Sequence, residues 1–116
     1  MTPKTNNLEW HEFQKVELRV GTIIEAEAFA EARNPSYILK VDFGEEIGIK
    51  KSSAQITALY TKEALIGKQV IAVTNFAPKQ IGPIMSECLI TGFHKNEGEV
   101  VLSTTDFNVP NGTRLA

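Results

Sequence analysis

The chain has 116 residues, 42% hydrophobic and 22% charged, with a formal net charge of −2. That is one domain with a single modest core, and its balance excludes an indiscriminate polybasic nucleic-acid binder. No apolar run approaches the roughly 20 residues of a membrane span, Met1 to Asn7 carry no apolar signal region, and the one cysteine, Cys88, can form no internal disulfide; a cytoplasmic protein without membrane insertion is expected.

Leu8 to Phe13 reads as a helical turn with acids early and Trp10 and Phe13 three apart. Lys15 to Phe29 alternates with a sustained period of two. Val16, Leu18, Val20, Thr22, Ile24, Ala26 and Ala28 form one face, Glu17, Arg19, Ile23, Glu25 and Glu27 the other. A strand this long must bend, and Gly21 is the expected bend or bulge. Ala32 to Ser36 is a turn, and Tyr37, Leu39, Val41 and Phe43 form one face of a second strand.

A third strand is expected over Ile47 to Ser52. Ser53 then reads as the cap of a helix over Ala54 to Tyr60, and Thr61 as the cap of a further turn closed by Gly67. A fourth strand spans Gln69 to Thr74 and a fifth Cys88 to His94. Glu99 to Ser103 is extended, and Asn111-Gly112 marks a turn. Between strands four and five, Pro78 and Gly82-Pro83 exclude a continuous strand or helix and predict a stiff loop.

This order is that of an all-β OB-fold, a five-stranded Greek-key barrel with one helix between strands 3 and 4. Other small barrels with one helix fit the same pattern. The chain reads as a single domain over residues 1–116, with a core about 13–108 and short extensions at 1–12 and 109–116.

Six acids against Lys15 and Arg19 occupy Glu9 to Glu31, while five lysines against Glu63 alone occupy Lys50 to Gln80. One positive face on a nearly neutral molecule is therefore possible, as are scattered solvated lysines. The two histidines, His11 and His94, are far apart in sequence, and no metal-binding motif or cofactor loop is present. Ser52, Ser53 and Ser86 have no histidine placed near them by sequence, so no enzyme is expected. Binding fits better: Lys50, Lys51 and Lys79 suit phosphate oxygens, and Asn34, Asn75 and Gln80 suit base edges or sugar hydroxyls. Ser86 joins Asn75 and Gln80 in positioning the loop, and in such a barrel Arg33, Ser52 and Gln55 share its region. Phe76 reads either as a base-stacking aromatic or as core.

Val16 to Ile23, Lys40 to Gly44, Lys51 to Ile56, Leu65 to Lys68 and Asn75 to Pro78, with Gly82 and Ser86, together resemble the tRNA-binding domain family. The versions Ser52-Ser53-Ala54-Gln55-Ile56 and Gln80-Ile81-Gly82-Pro83 are most similar to the stand-alone CsaA type, described as secretion chaperones. The resemblance implies an OB-fold homodimer paired through its terminal extensions, no catalysis and no cofactor. It implies tRNA read by shape, and chaperone work on unfolded secretory precursors and the export machinery.

The wider family tends to have a basic residue where this chain has Ile81, and Gly-Met where it has Glu87-Cys88. One phosphate contact is thereby lost and an acid added. Apolar Ile81, Ile84 and Met85, with Phe76, instead suit an exposed surface for polypeptide. The alternative is accordingly a pure preprotein-binding chaperone with little RNA affinity.

Overall fold

The computed structural model describes residues 6–115. Five antiparallel strands form one sheet in the order β3-β2-β1-β4-β7: β1 (Leu18–Ala28), β2 (Tyr37–Asp42), β3 (Ile49–Ala54), β4 (Gln69–Val73) and β7 (Leu89–Ile90). Two hairpins, β5–β6 (Lys79–Ile81, Ile84–Ser86) and β8–β9 (Gly92–His94, Val100–Leu102), complete the strands. Three short helices stand before β1 (α1, Trp10–Gln14), between β2 and β3 (α2, Gly44–Ile47) and between β3 and β4 (α3, Lys62–Leu65).

The sheet curls until its two edges meet. The Glu87 N–H donates to the Lys51 carbonyl at 2.7 Å, and the Lys51 N–H donates to a Glu87 carboxylate oxygen at 2.9 Å. The Ser52 hydroxyl adds a bond to the Cys88 carbonyl at 3.0 Å. The result is the OB-fold barrel, filled by Ile23, Leu39, Val41, Phe43, Ile56, Leu65, Val70, Ala72, Cys88 and Leu102. Each large side chain so buried contributes about 1.5–3 kcal/mol.

The β2 pattern is as expected, but the inward face of β1 is not. Ile23, assigned to the polar face, is fully buried, whereas Ile24, assigned to the apolar face, is exposed. The cause is a register shift between Ile23 and Glu25, which inserts one extra residue opposite β2 and flips the side-chain phase. Gly21 is not the bulge. A Cβ there would lie 2.6 Å from Val41 Cγ1 and 2.7 Å from Phe43, so its role is to admit those side chains to the core.

The third strand begins two residues late because Gly44 to Ile47 forms a helical turn, released by Gly48 at φ +85°. No helix forms over Ala54 to Tyr60. Ser53 and Ala54 instead pair with Ile38 and Tyr37, and the Tyr60 carbonyl accepts from the Tyr37 hydroxyl at 2.7 Å. Cross-strand pairing has won over cap propensity. The second turn is as read: the Thr61 hydroxyl accepts from Ala64 N–H, and Leu65 enters the core.

The expected fifth strand is split at Thr91, where the chain leaves β4 and pairs with β9. At the other end, β2 covers β1 only from Thr22 onward. The C-terminal tail supplies the missing partner. Val20 N–H donates to the Thr113 carbonyl, and Gly112 and Leu115 N–H donate to Val20 and Leu18. Arg19 clamps this strap through the Gly112 carbonyl at 2.8 Å. Gly112, at φ +91°, is required there because a Cβ would sit 2.5 Å from the Phe43 carbonyl.

Candidate nucleic-acid interface

The stretch from Pro78 to Ser86 is a hairpin rather than an irregular loop. Pro78 precedes the ladder and Pro83 sits in the turn, so neither removes a ladder donor. Gly82 turns the chain at φ +56°, and a Cβ on it would lie 3.4 Å from the ring of Phe29, which is buried. The tip of the hairpin thus rests on the end of β1. Across from it stands the β1–β2 loop, held by Phe29 N–H to Ser36 carbonyl at 3.0 Å and Ser36 hydroxyl to Asn34 carbonyl at 2.8 Å.

Between hairpin and loop runs a groove made of two adjoining hollows of about 420 and 500 Å³ that share Ser53, Gln55 and Ile81. The first adds Phe76, Lys79, Ser86 and Leu89. The second adds Arg33, Asn34 and Gln80. Alternation along β3 puts Lys51 on the same outward register as Ser53, and Lys50 on the inward one with the buried Ser52 and Ala54.

Eight of the fourteen residues singled out from sequence therefore meet in one groove: Arg33, Asn34, Gln55, Phe76, Lys79, Gln80, Ile81 and Ser86. Phe76 is not core, being 59% exposed. Ile84 is half-buried and Met85 exposed on β6. Two assignments need correction. Ser52 is 1% exposed and its hydroxyl is held by Cys88, so it closes the barrel and is closed to ligand. Asn75 bonds Glu17 N–H at 3.1 Å and the Lys15 carbonyl at 2.6 Å, clasping the N-terminal segment to β4. Part of Gln80 is committed too, its amide donating to the Gly82 carbonyl across the turn at 2.6 Å.

Ser53 and Leu89 also line the groove, although by sequence Ser53 reads as a helix cap and Leu89 as an ordinary strand residue. The β3 pairing register, which sequence did not reveal, is what turns Ser53 outward.

The groove carries two cations, Arg33 and Lys79, and one acid, Glu31, which lines the second hollow. Elsewhere Arg19 pairs with Glu17 and Glu46, and Lys40 with Glu25 at 3.7 Å. Among the described residues no carboxylate lies within ion-pair distance of Arg33, Lys50, Lys51 or Lys79. Glu87, the added acid, directs an oxygen to the Lys51 N–H. Burial pushes the Cys88 thiol up to about 11, against smaller lowering effects of the Ser52 hydrogen bond and Lys50. It is a packing residue. No cluster of metal-ligating side chains occurs among the described residues.

The family model described as "Putative tRNA binding domain" matches residues 18–114. The chain belongs to this tRNA-binding domain family. Among curated relatives, the methionine–tRNA ligase of Flavobacterium johnsoniae is 33% identical over 113 residues, 97% of this chain but 16% of the ligase. That of Leptospira biflexa is 43% identical over 86 residues, 74% of this chain and 12% of the ligase. The chain thus spans about a sixth or less of the curated relatives it matches.

Two solved structures match over nearly their whole length. Chaperone CsaA from Bacillus anthracis has a TM-score of 0.89 at 44% identity, covering 95% of this chain and 99% of that one. The CsaA chaperone protein from Picrophilus torridus gives 0.88 at 46%, covering 95% and 100%. This tRNA-binding domain therefore shares the fold of both. No helix among its described residues is long and apolar enough to cross a membrane.

Proposed function

We propose that the protein is a non-catalytic tRNA-binding module that works as a cytoplasmic homodimer. The observation that carries this is a groove lined by Arg33 and Lys79, with Lys51 on the same outward register of β3 as Ser53, none of the three ion-paired among the described residues, on a domain of this family. Unpaired lysine and arginine on a protein of net charge −2 are suited to replace counterions on phosphates. Asn34, Gln55 and the Gln80 oxygen offer hydrogen bonds to sugars and base edges beside them. Pairing of two copies is supported by exposed Leu8, Trp10 and Leu115 at the terminal segments, a degree of apolar exposure that marks association surfaces.

The likeness to the CsaA chaperones supports a second role, as a chaperone related to protein export. Its partners are then unfolded secretory precursors and the export machinery. The exposed Phe76, Met85 and Leu89 favour that role, since a flexible thioether and an apolar rim adapt to varied peptides.

The test is a titration with bulk tRNA and, separately, with an unfolded precursor, each at low and moderate salt. Salt-sensitive tRNA binding is expected. Salt-tolerant binding to the precursor alone would make the protein a pure preprotein chaperone, with the lysines serving solubility.

A further inference from the structure

One half of the groove has a composition that charge alone does not account for. The hollow of about 420 Å³ is walled by Phe76, Ala77, Ile81 and Leu89, and edged by Ser53, Gln55, Ser86 and Lys79. Its volume lies within the ~300–1,000 Å³ of small-ligand sites. Phe76 is 59% exposed, although an aromatic at the end of an apolar strand buries well in a barrel of this kind. It is held outside by the chain on either side: Asn75 is tied to Lys15 and Glu17, and Pro78 leads directly into the ladder of β5.

Resting on the RNA reading above, we infer that this hollow is a slot for one unpaired nucleobase of a structured RNA. Every base has a π-face, and an exposed ring beside aliphatic walls stacks it. Gln55 makes no side-chain hydrogen bond among the described residues and stands exposed at the edge of the slot. A side-chain amide presents a donor and an acceptor together, the pattern that matches the edge of a base. The Ser53 hydroxyl adds a contact that serves as donor or acceptor. Lys79 carries no ion pair among the described residues and meets the phosphate that follows the base.

A paired base satisfies none of this, because its faces and its Watson–Crick edge are already occupied. The slot therefore discriminates an extruded loop nucleotide from duplex, while Arg33 and Lys51 hold the backbone on either side. An apolar peptide side chain uses the walls alone, without engaging Gln55 or Lys79.

The experiment compares two RNA hairpins with the same stem, one carrying a single unpaired adenine and the other fully paired, against the full chain and its Phe76→Ala, Phe76→Tyr and Gln55→Ala forms. Phe76 is exposed, so its replacement leaves the barrel intact, which thermal melting checks. Phe76→Ala is expected to weaken the bulged hairpin by roughly 5- to 150-fold, the range for loss of one stacked base, and to leave the paired hairpin unchanged. Phe76→Tyr restores binding, and Gln55→Ala weakens the bulged hairpin while leaving the paired one unchanged. Equal affinity of wild type and Phe76→Ala for the bulged hairpin, with salt-sensitive binding intact, overturns the slot and leaves the RNA module standing. No binding of either hairpin or of tRNA by wild type overturns both. A loss in Phe76→Ala confined to unfolded peptide overturns the slot in favour of polypeptide.

Discussion

Replacing Arg33, Lys51 and Lys79 together by glutamine tests the cation assignment quantitatively. Lys50 stays, because it shares the inward register of β3 with Ser52 and Ala54. None of the three is ion-paired among the described residues, so the change removes charge without stranding a carboxylate, and folding stability is expected to move by no more than about 0.5 kcal/mol. Each phosphate contact adds about 0.7–0.9 to the slope of log affinity against log salt, so three lost contacts flatten it by about 2–2.7. Between ~50 and ~200 mM salt, a fourfold change, wild type then loses roughly 15- to 40-fold more tRNA affinity than the variant. Fluorescence anisotropy with labelled tRNA across that range measures both slopes. A variant whose slope stays within about 0.5 of wild type refutes the reasoning, since counterions would then be released somewhere other than this groove.

Two further outcomes concern the seam of the barrel. Glu87→Ala leaves the half-buried Lys51 N–H without its acceptor and is expected to cost about 1.5–3 kcal/mol in urea unfolding, with Glu87→Gln recovering most of it; an unchanged midpoint in Glu87→Ala would show that the seam closes without this bond. Cys88 is expected to resist alkylation at pH 8 until denaturant exposes it. Its ionisation is raised from 9.0 to about 11 in the folded chain, so the folded state holds the proton longer than the unfolded. Stability is therefore full below pH 9 and falls by roughly 2–3 kcal/mol as pH rises through that window. Cys88→Ala is expected to abolish that decline, and an identical decline in the variant would assign it to other groups.

Much of the architecture is local and was therefore readable in the chain. Tyr37, Leu39, Val41 and Phe43 alternate toward the core as a two-residue period demands. Thr61 and Gly67 bracket α3 because caps and positive-φ positions depend on residues a few places apart. The groove was partly legible as well, since loop cations and amides at Arg33, Asn34, Gln55, Lys79 and Gln80 declared their chemistry by type.

What sequence could not decide depends on partners distant along the chain. The extra residue in β1 that exchanges Ile23 for Ile24 exists only relative to β2. Ser53 lies in a strand because Ile38 pairs with it, against its own capping preference. Ser52 and Asn75 carry the polar groups of binding residues, yet Cys88 in one case and Lys15 and Glu17 in the other claim them. Residue type determined which groups could bind. Register and closure determined which of them still face water, because a hydrogen bond formed across the barrel removes a side chain from solvent however suitable its chemistry.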